Sequence, residues 1–217
     1  MKVEIWSDVV CPWCYVGKRR FEAAVDRFEH LDQVSVVWRS FELDPGARSE
    51  PAGPEDGQDY VDRLAEKYRT TRDQAQQMTD SMTATAAAEG LDLRFDRAVR
   101  SNTFPAHQVI HLAGDRGLQG QVKERLMRGY FTEGENVGDV DVLARLSGEA
   151  GLDPDETRAA LTEQRYAQAV RQDESEAAAL QIGAVPFFVV DRRYGISGAQ
   201  PAEQLLAVLD RAWQERQ

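Results

Sequence analysis

The chain has 217 residues, which is enough for one large domain or for one domain with an insertion, and enough to bury a core without disulfide or metal staples. Its net charge of −11 argues against nucleic acid and anionic membrane surfaces as partners. The sequence starts directly in a strand pattern without a signal-peptide pattern, and no apolar run approaches the length of a membrane span. We therefore expect a cytoplasmic protein that does not enter a membrane.

The first strand pattern, over residues 2–6, leads into the only two cysteines of the chain, within the segment SDVVCPWCY at 7–15. Pro12 suits the first position of a helix, where no N–H donor is needed, and this makes Cys11 the N-cap residue. The free N–H groups and the dipole of a helix start stabilise a thiolate more than a thiol. Cys14 follows one turn later on the same face, within reach of a disulfide with Cys11.

Two structural interpretations of this cysteine pair compete with redox chemistry. A disulfide between such close residues closes a very small loop and removes little entropy from the unfolded chain. A zinc site normally needs four ligands, and no second cysteine pair or histidine pair at finger spacing is present. His107 and His111 have helical spacing, but Gln108 stands where a metalloprotease motif has Glu, so we expect no metal. A strand-to-helix junction near a βαβ pattern favours redox chemistry.

The pattern after the cysteines is helical and then extended. Phe21, Val25 and Phe28 share one helix face, and this helix is predicted to end near residues 30–32. Residues 34–41 are rich in β-branched and aromatic side chains and form the second predicted strand. The unit is therefore βαβ, with parallel strands and a right-handed crossover. The turn-rich passage 44–58 is interpreted as a linker.

Beyond the linker the hydrophobic period is helical as far as residue 180. Tyr60, Leu64 and Tyr68 share a helix face, and Thr71 with Gln74 matches a capping box that starts a helix ending at Gly90. Further helices are predicted over 103–113, 119–131, 140–150, 153–164 and 166–180, with a short extended or loop element at 91–95. The chain then returns to a hairpin, 187–190 and 194–197, and to a closing helix that begins at Pro201.

Several segments together resemble one family: DVVCPWCYVGKRR at 8–20, NTFPAH at 102–107, YFTEGE at 130–135, VPFFVVD at 185–191 and GISGAQ at 195–200. They resemble the DsbA-type thiol oxidoreductases and, within them, the FrnE-like branch, over nearly the whole chain. The resemblance implies an α/β fold of the thioredoxin type (βαβ…ββα) with a large all-helical insertion. The thioredoxin-like domain would comprise 1–44 and 181–217, and the helical insertion domain 45–180.

The resemblance also implies roles for single residues. Cys11 matches the nucleophilic cysteine and Cys14 the resolving one. Pro186 matches a cis-proline that lies against the dithiol, which is a specific expectation because cis bonds are uncommon before proline in folded chains. The backbone of Val185 would then be exposed to pair with a substrate peptide or with glutathione by strand addition.

Other substrate contacts are expected around this centre. Asn102 and His107 fall in the insertion, where family members face the active-site groove, so both are expected close to Cys11. Gln200 ends a segment that precedes a helix, where free N–H groups could hold a carboxylate. Pro12 and Trp13 complete the set, with Trp13 exposed to substrate, whereas Trp6 is expected in the core.

The predicted function is thiol–disulfide exchange by the Cys-Pro-Trp-Cys dithiol, a protein-disulfide oxidoreductase activity. Expected partners are protein or low-molecular-weight thiols and disulfides, with no resident cofactor and with glutathione as a candidate co-substrate; the chain would be a monomer or a homodimer. The superfamily also contains glutathione-dependent 2-hydroxychromene-2-carboxylate isomerases and kappa-class glutathione transferases, in which both cysteines are typically replaced. An enzyme of that type in aromatic or polyketide metabolism is the alternative, and a peptide-binding module without turnover is a third hypothesis.

Overall fold

The computed structural model describes residues 1–49 and 59–216, so residues 50–58 of the predicted linker lie outside the described residues. In the described residues, one four-stranded sheet has the order β2-β1-β3-β4. The strands are β1 Lys2–Ser7, β2 Ser35–Ser40, β3 Phe187–Val190 and β4 Tyr194–Ser197. β1 pairs parallel with β2 and antiparallel with β3, and β3 pairs antiparallel with β4. This topology confirms the predicted βαβ…ββα order.

The helices of the described residues follow the predicted succession. They are α1 Pro12–Asp26, α2 Tyr60–Tyr68, α3 Arg72–Ala88, α4 Phe104–Asp115, α5 Gln119–Arg128, α6 Val140–Glu149, α7 Pro154–Thr162, α8 Ala167–Ala179 and α9 Ala202–Gln214. Helices α2 to α8 stand between β2 and β3 in the chain, which confirms the predicted α/β fold class with a helical insertion. Within 1–49 and 59–216, none of the helices combines the length and apolar composition required to span a bilayer.

The prediction was wrong about where the first helix ends. The α1 helix ends at Asp26 rather than near residues 30–32. The N–H of Arg27 bonds the carbonyl groups of both Ala24 and Val25, which closes the last turn. A short 3₁₀ segment, Leu31–Gln33, then carries the chain into β2. The apolar pattern of the sequence extends beyond the helix because Phe28, which lies in the turn after it, is also buried.

Two details of the helical insertion concern local chemistry. The predicted capping box is present: the Thr71 hydroxyl accepts from the Gln74 N–H, and the Gln74 side chain accepts from the Thr71 N–H. The helix predicted over 119–131 is α-helical only as far as Arg128 and continues as a π-helical turn, Gly129–Glu133. A Cβ at Gly129 would lie 2.7 Å from a methyl group of Leu146, so glycine allows α6 to pack closely there.

The sheet and the helical insertion share one hydrophobic core. Helices α4, α5 and α8 contact β2, and buried residues of β1 belong to the same cluster as buried residues of α5. On the sheet, Phe21 of α1 packs against Phe188 of β3 with ring centroids 5.5 Å apart. The packing crosses the predicted domain limits at 44 and 181, so those limits stay a prediction.

A buried carboxylate in the middle of the sheet is neutralised by arginines from two neighbours. Glu4 of β1 is 1% exposed, and it accepts hydrogen bonds from Arg39 Nε at 3.0 Å and from Arg192 Nη2 at 2.6 Å. Burial alone would raise the pKa of Glu4, but these hydrogen bonds lower it to about 2. Arg39 Nη1 also donates to Asp173 of α8 at 2.8 Å. Arg39 therefore links the sheet to the helical insertion.

Replacement Glu4→Gln should destabilise the protein by up to about 3 kcal/mol at pH 7, because the partly exposed Arg39 and Arg192 lose the buried counter-charge that they share. The pKa of Glu4 is lower in the folded protein than its ordinary value of 4.5, so its stabilisation is complete above pH 4.5 and is lost as the pH falls towards 2. Urea unfolding of both proteins between pH 2.5 and 7 measures this. The two stability curves should converge at the acid end, and a separation independent of pH would contradict the assignment.

The matched control is Lys2→Gln, which removes the half-exposed partner of Glu4 at 3.2 Å. Exposed ion pairs contribute about 0–1 kcal/mol, so this variant should stay close to the wild type at every pH.

Candidate active site

Cys11 occupies the N-cap position of α1, as the sequence predicted. Its backbone is extended (φ −93°, ψ 112°), Pro12 begins the helix, and the backbone N–H of Cys14 donates to Cys11 Sγ at 3.3 Å. The Cys11 thiol also lies 3.7 Å from the carbonyl oxygen of Val185. Only 4% of the residue is exposed, so a reacting partner must approach it through a narrow opening. The open N–H groups of the helix start stabilise negative charge on this sulfur.

Cys14 has a different environment from Cys11, although the two residues are close together. It is completely buried, and both cysteines are free thiols in the structure. Burial raises the pKa of Cys14 well above its ordinary value, and the hydrogen bond and charge of Cys11 raise it further. The slightly exposed sulfur at the helix start is therefore suited to attack from outside, and the enclosed sulfur is suited to attack its neighbour.

The loop before β3 lies against α1 beside the dithiol. The Val185–Pro186 peptide bond is cis, as expected from the resemblance. A Cβ at Gly17 would lie 2.7 Å from Pro186 Cγ, so glycine at this position of α1 allows the proline ring to approach the helix. The N–H of Gly198 donates to the carbonyl oxygen of Pro186 at 2.8 Å and anchors the other side of the loop.

A buried acid and a buried histidine lie behind Cys11. Asp8 is 0% exposed; its carbonyl oxygen accepts from the Cys11 N–H at 3.4 Å, and its Oδ2 accepts from the Leu43 N–H at 2.8 Å. Asp8 Oδ1 lies 3.3 Å from Nε2 of His107 on α4. Burial alone would raise the pKa of Asp8, but His107 and the Leu43 N–H lower it overall. His107, which was expected close to Cys11, is thus linked to Cys11 through Asp8.

A buried lysine from the insertion completes this group of charges, and the sequence analysis missed it. Lys123 of α5 is 0% exposed, and its Nζ has no hydrogen-bond partner among the residues that the structure describes. Its ammonium lies 5.2 Å from the ring centroid of Trp38 in β2. Burial lowers the pKa of Lys123 to about 8, against the opposing charges of Cys14, Asp8 and Cys11. A signal was available, since Lys123 falls in the apolar stripe of its helix beside the buried Val122, Leu126 and Met127.

The neighbouring residue holds α5 against α1. Glu124 accepts hydrogen bonds from the Tyr15 hydroxyl at 2.6 Å, from Lys18 Nζ at 2.6 Å and from Arg19 Nη1 at 3.0 Å. Burial alone would raise the pKa of Glu124, but the charge of Lys18 and these hydrogen bonds lower it. The ion-pair cluster fixes the position of α5, and therefore that of Lys123, relative to the helix that carries both cysteines.

Asn102 was expected close to Cys11, and its side-chain hydrogen bonds go to other residues. Its Nδ2 donates to the carbonyl oxygen of Ala47 at 2.9 Å, and its Oδ1 accepts from the Phe104 N–H at 3.0 Å. Both ends of the amide are thus used to start α4 and to fasten the loop after β2, and the described residues show no hydrogen bond from it to Cys11. Gln200 similarly donates within its own turn, to the Ser197 carbonyl at 2.8 Å.

The remaining predicted positions are simple to place. Trp13 is 47% exposed beside Cys11, whereas Trp6 is fully buried, as expected for both. His111 lies 3.0 Å from Asp173, whereas His107 lies 3.3 Å from Asp8. The two histidines therefore do not face one metal position. Within 1–49 and 59–216, no cluster of three or more His, Cys, Asp or Glu residues could hold an ion.

A cavity of about 560 Å³ has Val10, the residue before Cys11, in its wall, although neither cysteine lines it. Its size lies in the range of small-molecule sites. Tyr60 is one of its walls, and burial, followed by the charges of Tyr130 and Cys11, raises the pKa of Tyr60. The remaining charged and aromatic walls include Arg63, Lys67, Arg100, Tyr130, Asp44 and Glu66. The cavity therefore offers aromatic faces and both signs of charge close to Cys11.

Comparison with known proteins agrees with this geometry. Residues 2–210 match the profile of the DSBA-like thioredoxin domain. The chain belongs to that family. A crystal structure of a probable DsbA oxidoreductase from Streptomyces coelicolor shares 47% identity, covers 100% of this chain and 92% of its own, and has a TM-score of 0.92.

Two further proteins are similar to this chain at lower identity. YwbO of Bacillus subtilis (strain 168), described as uncharacterised, is 29% identical over 190 residues, or 87% of this chain and 86% of that protein. The cytosolic disulfide reductase DsbM of Pseudomonas aeruginosa, in a structure with GSH, is 17% identical over 99% of this chain and 100% of its own, with a TM-score of 0.67. At that identity the likeness concerns the fold alone.

Gly17→Ala should impair this DsbA-family site. Alanine would gain about 1 kcal/mol of helix propensity, but overpacking against Pro186 should cost about 1–3 kcal/mol. We therefore expect a protein destabilised by up to about 2 kcal/mol, with a slower reaction at Cys11 because the Val185 carbonyl is displaced. Urea unfolding and the rate of thiol alkylation measure the two effects.

Gly120→Ala on α5 is the matched control, since a Cβ there would meet its nearest atom, on Trp38, at an ordinary 3.8 Å. It should be neutral or stabilising. Equal behaviour of the two alanine variants would refute the role assigned to the Gly17–Pro186 contact.

Proposed function

We propose that this protein is a thiol–disulfide oxidoreductase in which Cys11 is the nucleophile and Cys14 the resolving cysteine. The observation that carries the proposal is the pairing of an N-cap sulfur, which receives the Cys14 N–H at 3.3 Å, with a completely buried second thiol one turn later. This asymmetry gives each sulfur one role. Membership of the DSBA-like thioredoxin domain family supports the same chemistry.

The reaction transfers two electrons from the dithiol to a substrate disulfide. The Cys11 thiolate attacks one substrate sulfur, the substrate S–S bond breaks, and the first substrate thiolate leaves and takes up a proton. Cys14 then loses its thiol proton and attacks Cys11 Sγ. The mixed disulfide breaks, the Cys11–Cys14 disulfide forms, and the second substrate thiolate leaves with a proton. The reverse sequence oxidises a dithiol.

The substrates that fit best are small disulfides and extended peptide segments. The cavity beside Val10 suits the volume of a small disulfide that carries both ammonium and carboxylate groups, of which glutathione disulfide is an example. The backbone of Val185, whose carbonyl oxygen lies 3.7 Å from the Cys11 sulfur, is placed to meet an extended segment. DsbM, which shares the fold, is described as a cytosolic disulfide reductase, and its structure was determined with GSH. We therefore include in this proposal a cytosolic location and glutathione as a co-substrate.

The alternative is a glutathione-dependent isomerase or transferase, which would use the same cavity without a redox cycle. Such an enzyme needs no resolving thiol, whereas this chain places Cys14 against Cys11 and encloses it completely. That arrangement favours the oxidoreductase. Whether the chain acts as a monomer or as a homodimer stays a prediction.

Cys11→Ser should abolish the reduction of insulin and of glutathione disulfide, because the other cysteine of the chain, Cys14, is completely buried. Cys14→Ser should still attack the substrate but accumulate a mixed disulfide on Cys11, since nothing resolves it. Turnover assays combined with intact-protein mass spectrometry measure both results.

The two serine variants are matched controls for each other, because both lose one sulfur from the same helix turn. Full turnover by the Cys11 variant would exclude the proposed reaction. Glutathione-dependent turnover that is undiminished in the Cys14 variant would favour the isomerase or transferase instead.

A further inference from the structure

We propose that Lys123 is a positioning residue whose ammonium group stabilises the negative charge that Cys14 carries while it resolves the mixed disulfide. The proposal deepens the proposed oxidoreductase function and rests on it. It assigns a task in the dithiol chemistry to a helix of the insertion, α5, which lies outside the βαβ and ββα units.

The first argument is that burying the charged side chain of Lys123 costs free energy that no hydrogen bond or ion pair among the described residues offsets. An ammonium group with 0% exposure and no hydrogen-bond partner among the described residues loses its hydration without an ion pair to replace it. The Trp38 ring at 5.2 Å gives a cation–π contact but no hydrogen-bond acceptor. A methionine would fill the same space without that cost, so the charge must be retained for something other than packing.

The second argument concerns the charges around Lys123. Asp8 Oδ2 accepts from the Leu43 N–H at 2.8 Å, and Asp8 Oδ1 lies 3.3 Å from His107 Nε2 and makes no hydrogen bond to the lysine. Lys18 on α1, which repels Lys123, is itself neutralised by Glu22 and Glu124. The charge of Lys123 therefore acts on the dithiol as well as on Asp8.

The third argument identifies which sulfur benefits. Cys11 already has the N–H groups at the start of α1 to stabilise a thiolate. Cys14 is completely enclosed one turn into the helix, and its neighbour Tyr15 donates at 2.6 Å to Glu124, the neighbour of Lys123, so α5 is held against α1 at Cys14. A buried thiolate without a counter-charge is strongly disfavoured. Lys123 supplies that counter-charge.

The step can be written for the mixed disulfide between Cys11 and a substrate thiol. Cys14 gives up its thiol proton, its sulfur bonds to Cys11 Sγ, and the bond from Cys11 to the substrate sulfur breaks. The departing substrate thiolate takes up the proton, so no proton or electron is gained or lost overall. Lys123 stays protonated throughout and lowers the energy of the Cys14 thiolate.

The test uses the reduced full chain and the chromogenic aromatic disulfide dithionitrobenzoate in stopped flow. One coloured thiolate is released when Cys11 attacks the reagent, and a second when Cys14 resolves the adduct. In Lys123→Met the first phase should be unchanged. The second phase should slow by about tenfold or more, the effect of one pKa unit, and its pH midpoint should rise. Lys123→Arg, which keeps the charge, should recover part of the second phase.

Controls separate this inference from the oxidoreductase function itself. Cys14→Ser should show only the first phase, and a single phase in the wild type would refute the dithiol mechanism rather than the role of Lys123. Arg128→Met removes an exposed cation of the same helix and should leave both phases unchanged. Lys123→Met should also have a raised Tm, since an unpaired buried charge has been removed, so a slow second phase in that variant is not a folding defect.

A measurement on the wild type keeps the proposal testable even if the variant does not fold. NMR of lysine ε-methylene groups should show one lysine that titrates near pH 8 in the reduced protein. Its midpoint should fall on oxidation, because the sulfur charges that favour the ammonium are then gone. The proposal would be overturned if the second phase of Lys123→Met had the same rate and pH profile as that of the wild type. It would also be overturned if the lysine midpoint were the same in the reduced and the oxidised protein.

Discussion

The start of α1 is the constraint on which the rest of the site depends. A helix begins with backbone N–H groups that have no partner within the helix, and here the side chain placed over them is a sulfur. Pro12 supplies the first helical position without adding another unpaired donor. The same turn brings the Cys14 N–H to Cys11 Sγ, so a single local structure both favours charge on one sulfur and places the second beside it.

Burial gives the two otherwise similar cysteines different chemistry. Cys11 has a small opening to solvent, the exposed Trp13 next to it and a cavity beside its neighbour Val10. Cys14 is enclosed, and its pKa is raised by that enclosure. The helices inserted between β2 and β3 create much of this environment, because His107 comes from α4 and Lys123 from α5. The insertion therefore has a direct part in the electrostatics of the dithiol as well as in covering the sheet.

Ion pairs also explain how the helical insertion is held in a fixed position relative to the sheet and α1. Glu124 binds three side chains of α1, and Arg39 of β2 joins Glu4 of β1 to Asp173 of α8. These contacts are buried or partly buried, so they are strongly directional. Together with the shared hydrophobic core they fix helices that are distant in sequence at the positions which the active site requires.

The sequence by itself determined the features that depend on neighbouring residues. These are the N-cap cysteine before Pro12, the capping box at Thr71, the hairpin strands and the order βαβ, helices, ββα. Tertiary structure decided the rest, because those features depend on which distant groups meet. The local pattern of Asn102 did not reveal that both ends of its amide are used by Ala47 and Phe104. Gly17 matters only because Pro186 packs on it. Lys123 gains a role in the proposed mechanism only because α5 buries it completely, where a charge acts more strongly than in water.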